Sequence, residues 1–183
     1  MSVELGKFKL EPFSFGRGIV VRTIWHLFNV LVLRNPFVVF SSLRIVALKL
    51  FGAKLGRGLL MQKPISVKCP WHLQVGDYSW IGEGVWIDNL TTVKIASNVC
   101  ISQGAYLCTG NHNWSKRDFP MRVEGIEIME GVWVGARANI GPGSVLEKDS
   151  IISLGTTFTG RAKESTIYYY SQENLITKSR KFL

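Results

Sequence analysis

An all-β solenoid, a parallel β-helix with three flat sides, is the fold this sequence predicts, and three observations predict it. The first is a spacing. Large apolar side chains return at every sixth position: Leu55, Met61, Val67 and Leu73; Val75, Ile81, Ile87 and Val93; Ile95, Ile101 and Leu107; then Ile128, Val134, Ile140, Leu146, Ile152 and Phe158. A period of six fits neither the turn of a helix nor the two-residue alternation of an isolated strand. It fits a coil whose sides are each about six residues long, the mark of a β-helical repeat. The second is a column of small or β-branched residues four places after each aliphatic, among them Ser79, Val85, Val99, Ala105, Val132, Ala138, Ser144, Ser150 and Thr156. Small groups there let the chain turn without overfilling a narrow interior, and turn-tolerant residues such as Gly76, Gly82, Asp88, Gly135 and Gly141 follow the aliphatics. The third is a nested longer period. Leu55, Val75 and Ile95 open units of twenty residues, and from Ile128 the period drops to eighteen.

The elements follow in order. Residues 1–54 form a helical segment ahead of the repeat. The run 23–33 is apolar but too short to span a bilayer, and Arg34-Asn35-Pro36 ends it. A second segment, 37–51, carries Arg44 and Lys49, so two helices joined at Pro36 are expected. They should cap the open end of the solenoid. As an amphipathic, basic, Trp-bearing pair they would also suit the surface of an anionic membrane. Residues 55–163 form the solenoid, interrupted by 109–125, where the third coil expels a loop and then resumes in register. Loops thrown out of a rigid scaffold are where function concentrates. Residues 164–183 form a basic tail. Tyr168-Tyr169-Tyr170 reads as a strand, and the stretch from Asn174 to Arg180 as a short helix made basic by Lys178, Arg180 and Lys181.

Composition narrows the function classes. The chain has 183 residues, 22 basic and 13 acidic, for a formal net charge of +9. Such a charge fits an anionic substrate, an anionic cofactor or an anionic membrane surface. Nucleic acid is not expected as a partner, since no binding motif is present. Cys69, Cys100 and Cys108 are odd in number and lack paired spacing, which points to a reducing compartment rather than a disulfide framework. No Cys/His cluster has zinc spacing, so no metal is expected. The acidic and polar start lacks a signal-peptide pattern. A cytoplasmic protein, peripheral at the inner membrane face, is the expectation.

The expelled loop reads Thr109-Gly110-Asn111-His112-Asn113-Trp114-Ser115-Lys116-Arg117-Asp118. A histidine on a loop rooted in a rigid scaffold is placed for general-base work, because an imidazole with its ordinary pKa of about 6.5 is largely neutral at pH 7.

Longer blocks carry a resemblance. Leu50-Phe51-Gly52-Ala53-Lys54-Leu55-Gly56, Pro70-Trp71-His72-Leu73-Gln74-Val75-Gly76-Asp77-Tyr78-Ser79-Trp80-Ile81-Gly82-Glu83-Gly84-Val85-Trp86, the run from Ile101 to the Cys108-Thr109-Gly110-Asn111-His112 loop, and Gly131-Val132-Trp133-Val134-Gly135-Ala136 resemble the hexapeptide-repeat acyltransferases. Within them the chain looks most like the colanic acid and exopolysaccharide biosynthesis O-acetyltransferases, related to the maltose, galactoside and nodulation-factor acetyltransferases.

The resemblance implies a left-handed parallel β-helix, a handedness that the usual right-handed bias of parallel crossovers would not suggest. It implies a homotrimer with each active site in a cleft between subunits, and acetyl-coenzyme A as co-substrate. His112 matches the catalytic base and the backbone amide of Ala136 the oxyanion donor. Asp88, Asn89, Asn111 and Trp133 match positions facing the acceptor, which would be a sugar, a glycolipid-linked sugar or a nucleotide sugar. Gly135, Gly155 and Thr156 would hold the pantetheine arm, and Arg161 and Lys163, with Lys178 and Arg180 beyond them, the phosphates. In place of the family's Gly-Asn-Pro-Ala-like turn after the last coil stands Ser171-Gln172-Glu173-Asn174. The expected activity is O-acetylation of a sugar hydroxyl in surface or exopolysaccharide biosynthesis. The alternatives are an amino-sugar N-acetyltransferase and a non-catalytic trimeric scaffold. A zinc carbonic anhydrase on the same solenoid would need three histidine ligands, and with His26 in the helices too few remain.

Overall fold

The computed structural model describes residues 4–8, 13–171 and 174–179. Three parallel sheets form the sides of a triangular prism. Face A stacks Lys54–Leu55, Leu73–Val75, Val93–Ile95, Ile126–Ile128, Val145–Leu146 and Arg161–Ala162. Face B stacks Leu60–Met61, Trp80–Ile81, Cys100–Ile101, Trp133–Val134, Ile151–Ile152 and Thr166–Ser171. Face C stacks Ser66–Val67, Trp86–Asp88, Tyr106–Cys108, Asn139–Ile140 and Thr157–Phe158. The chain passes from A to B to C and returns to A.

The six-residue period is the inward ladder. Every aliphatic in it from Met61 onward is buried, and Leu55 at the open end is half-buried. Val75 stacks on Ile95, Ile81 on Ile101 and Ile87 on Leu107. Corner residues Ser79, Ala105, Ala138, Ser144 and Ser150 are wholly buried, which is why the column tolerates only small groups. The expelled loop rejoins in register, with Glu127 opposite Lys94. The last step is shorter than the repeat suggests: Leu146 pairs with Ala162, sixteen residues on. The corner at Gly160, with φ +104, closes that turn early.

The tail differs from expectation. Thr166–Ser171 is the strand foreseen, but Asn174–Ser179 is a second strand, antiparallel to it, rather than a helix. The first strand would leave an unpaired sheet edge, and the β-branched content of Ile176-Thr177 suits pairing along it.

At the other end lie α1 (Ile19–Phe28), continued by a π-helical turn at Asn29–Leu33, and α2 (Ser41–Leu50), with Pro36 between them. Their buried residues Trp25, Leu33, Ala47 and Leu48 join the solenoid core. The first coil has no coil below it, so its backbone groups need other partners. The cap supplies them. The Ser41 hydroxyl accepts from the Met61 amide at 2.9 Å, and the Arg44 guanidinium donates to the Met61 carbonyl at 3.1 and 2.8 Å and to the Val38 carbonyl at 2.6 Å. Trp25 Nε1 donates to the Val67 carbonyl at 2.9 Å, and Asn29 accepts from the Val67 amide at 3.4 Å. Arg44 and Trp25 thus point inward.

Candidate active site

The expelled loop is a β-hairpin at the corner between faces C and A. Gly110–His112 pairs antiparallel with Met121–Val123, setting His112 opposite Met121. Its root is fixed by Thr109, which is wholly buried, takes a bond from the Glu124 amide at 3.0 Å and donates its own amide to the Asp88 carbonyl at 3.2 Å.

His112 is held on three sides. Its Nδ1 lies 2.9 Å from the Phe119 carbonyl oxygen. A carbonyl only accepts, so Nδ1 carries the proton and the neutral ring keeps its lone pair on Nε2. The ring stacks on Phe119 with centroids 4.3 Å apart and planes 6° from parallel, and Phe8 approaches it at 5.6 Å. Phe119 has φ +48, a backbone state that costs a bulky residue about 1–3 kcal/mol. That conformation brings its carbonyl and its ring to the same imidazole. Asn111 accepts from the His112 amide at 2.8 Å. With His112 it lines a cleft completed by Trp114, Arg122, Pro142 and Thr159.

A second cleft lies at the corner between faces B and C, lined by Ser102, Gln103, Trp133, Gly135, Ala136 and Leu154. Trp133 is half-exposed, and its Nε1 donates to the Ser102 hydroxyl at 2.8 Å. A Cβ at Gly135 would sit 2.6 Å from the Leu154 amide nitrogen, so only glycine lets the coils approach here. The Ala136 carbonyl accepts from the Gly155 amide at 2.9 Å, while the Ala136 amide has no acceptor among the described residues. Gly155, with φ +67, has nothing within 4 Å on its side-chain side.

Other expected positions have structural duties. Asn89 is wholly buried and spends both amide groups on the backbone of Cys69, at 3.0 and 2.7 Å, so nothing remains to face an acceptor. Thr156 points its side chain into the core, and its backbone is bonded to Ser153 and Asn139. Asp88 is half-buried between Lys68 at 2.8 Å and the Tyr106 hydroxyl at 3.1 Å. Burial first, then Cys108 and Asp88, push the Tyr106 phenol well above its usual range, which keeps it a donor. Arg161 pairs with Glu147 at 2.7 Å on face A, and this partner holds the Glu147 carboxyl below its usual range. Lys163 is exposed at the corner between faces A and B. Arg180 lies outside the described residues. No group of three His, Cys, Asp or Glu among the described residues could hold a metal ion.

The candidate residues therefore fall on three different edges of the prism. His112 and Asn111 occupy the C-to-A corner, Trp133, Gly135, Ala136 and Gly155 the B-to-C corner, and Lys163 the A-to-B corner. One chain does not bring His112 to Ala136. Sequence reading missed Phe119 and Phe8, since neither belongs to the repeat and the aromatic cage exists only once the hairpin folds.

No family model matches the sequence. It is 30% identical over 142 residues, 78% of each chain, to the Escherichia coli K12 protein named "Putative colanic acid biosynthesis acetyltransferase WcaF". The chain belongs to this acetyltransferase family. Among solved structures, a hexapeptide-repeat acetyltransferase of Vibrio cholerae O1 biovar eltor complexed with acetyl coenzyme A superposes with a TM-score of 0.81 at 16% identity, covering 96% of this chain and 97% of that one. A galactoside acetyltransferase in complex with coenzyme A superposes at 0.72 and 20% identity, covering 89% and 80%. At these identities the likeness establishes the shared solenoid.

Proposed function

We propose that this acetyltransferase moves an acetyl group from acetyl-coenzyme A to a sugar hydroxyl in surface or exopolysaccharide biosynthesis, with His112 as general base. The observation that carries this is the fixed tautomer of His112. Its Nδ1 proton is held by the Phe119 carbonyl at 2.9 Å, which leaves Nε2 as the acceptor. A hydroxyl needs such a base, whereas a neutral amine already presents its lone pair. His112 Nε2 takes the hydroxyl proton as the oxygen attacks the thioester carbonyl. The Ala136 amide stabilises the developing oxyanion. His112 then returns the proton to the departing sulfur, so the products are an acetyl ester and free coenzyme A. Gly135 and Gly155 leave the open backbone surface along which a pantetheine arm fits. The cations expected for its phosphates, Arg161 bonded to Glu147 on face A and Lys163 at the A-to-B corner, lie off that edge and would reach them only from elsewhere on the prism or from another copy.

Because His112 and Ala136 stand on different edges, this chemistry needs His112 of one copy beside Ala136 of another, as a homotrimer would provide. Outward aromatics Trp80 and Trp133 on face B and Trp86 on face C are half-exposed or more and suit such packing. The test is His112→Ala, assayed by mass spectrometry with a panel of sugars and nucleotide sugars. Transfer should fall about 10²–10⁴-fold, while coenzyme A binding by calorimetry persists. Near-normal transfer by His112→Ala would place the base elsewhere. A fully active monomer in dilute solution would remove the inter-subunit site.

A further inference from the structure

The protein's net charge is concentrated in one stretch. Residues 12–76 hold nine Lys or Arg and no Asp or Glu, whereas the rest of the chain holds thirteen of each sign. Its described residues form the cap, the first coil and the strand that opens the second. Arg44 is buried, Arg57 pairs with Asp77 and Lys68 with Asp88. Arg17, Arg34, Lys49 and Lys54 are exposed and have no acidic partner among the described residues.

The same helices turn apolar side chains outward. Val20, Ile24, Leu27 and Leu31 recur at the spacing of one helical face along α1 and its π-helical turn, and all are exposed. Leu43, Val46 and Leu50 do the same along α2, and Phe37 and Phe40 between the helices are 89% and 66% exposed. Arg17, Arg34 and Lys49 flank these stripes in sequence. Neither helix is long enough to cross a membrane.

We infer that the cap is a docking surface for an anionic lipid bilayer, with the two helices lying in the interface, their apolar stripes at the acyl boundary and Arg17, Arg34 and Lys49 at the lipid phosphates. Charge decides against a second copy of the chain. Symmetric packing of cap on cap would bring the same unpaired cations together, whereas anionic lipid neutralises them. A short helix with a large apolar face and flanking cations is the form that lies on a membrane rather than spanning it. The inference stands apart from the transferase reading and is tested without an activity assay.

The full chain is sedimented with vesicles of phosphatidylcholine mixed with phosphatidylglycerol and with phosphatidylcholine alone. Binding to the mixed vesicles is expected at low salt, weakening as salt rises, and binding to phosphatidylcholine alone should be far weaker. Arg17→Gln/Arg34→Gln/Lys49→Gln should weaken binding about a hundredfold. Ile24→Ser/Leu27→Ser/Leu43→Ser changes only exposed side chains and should abolish binding with the melting transition retained. If that triple variant is unfolded, Phe37→Ser/Phe40→Ser between the helices replaces it. No sedimentation with mixed vesicles at low salt overturns the inference, as does equal binding to phosphatidylcholine alone or wild-type binding by the folded apolar variant. So does a drop in oligomeric mass of that variant without lipid, which would make a second copy the occupant.

Discussion

The solenoid and its cap place apolar side chains by opposite rules. In the solenoid the inward ladder is saturated with aliphatics, and face A turns Lys54, Lys94, Glu127 and Arg161 to solvent. Beyond the first coil the charges balance, with eleven of each sign in residues 77–183. In the cap, Trp25, Asn29, Leu33, Arg44, Ala47 and Leu48 point into the first coil, while the remaining apolar residues of both helices largely face out. The backbone explains the contrast. An inner coil finds partners for its amides and carbonyls in the coils on either side, so its side chains need only fill space. The first coil lacks a neighbour on one side, and the cap must carry polar side chains inward to meet Met61 and Val67. With its few inward positions so committed, the cap has an outer face available for another surface.

The largest test of this contrast compares two isoleucines. Ile140 is wholly buried in a middle coil, and Ile24 is exposed on α1. Ile140→Ala should cost about 2–5 kcal/mol in urea unfolding, because a close-packed ladder cannot collapse around the gap. Ile24→Ala should lie within about 0.5 kcal/mol of wild type. Equal costs would mean that the outer face of the cap is buried in the assembled protein.

Next in size is the joint between the two regions. Arg44→Met preserves much of the apolar stem but leaves the Met61 and Val38 carbonyls without the guanidinium. An orphaned buried acceptor costs about 1–3 kcal/mol. Lys49→Met on the exposed side of the same helix should change stability little. If the Arg44→Met protein unfolds at the same urea concentration as wild type, the cap is not pinned through these carbonyls.

The same contrast explains what the sequence could disclose. The solenoid was legible because one period sets every inward side chain, so Val75, Ile95 and Ile128 announce their stacking without any tertiary knowledge. Expulsion of the loop was legible from the break in that period, and with it His112. Phe119 was not, since a stacked ring and a carbonyl aimed by a left-handed backbone have no periodic signature. The inward duties of Arg44 and Trp25 were not legible, because helical spacing shows which residues share a face, but not which face meets the first coil. Asn89 was read as an acceptor contact because its corner position looks the same whether the amide turns outward or, as it does, onto Cys69. The tail strand was missed because its pairing partner is supplied by the solenoid edge.

The smallest expected effect lies where the segment before α1 crosses the first coil. The Trp71 indole donates to the Phe15 carbonyl at 2.7 Å, and His72 packs beside Gly16, its Nε2 buried without a partner. Burial lowers the His72 pKa, a bond that the ring donates to the Phe15 carbonyl opposes the shift, and Arg17 adds to it. A histidine lowered in the folded state binds fewer protons there than in the unfolded chain. Stability therefore rises with pH through this group. Its contribution is complete above the unfolded value of about 6.5 and is lost as the pH falls from there toward the lower folded value. His72→Gln keeps a polar side chain of similar reach but cannot titrate. Melting temperatures of the wild type should drop more steeply than those of His72→Gln between neutral and mildly acidic pH, by roughly 1–2 °C, since partial solvent access screens the effect. Parallel melting profiles would show that the segment over His72 opens to water without cost, and that this end of the cap is held by Trp71 alone.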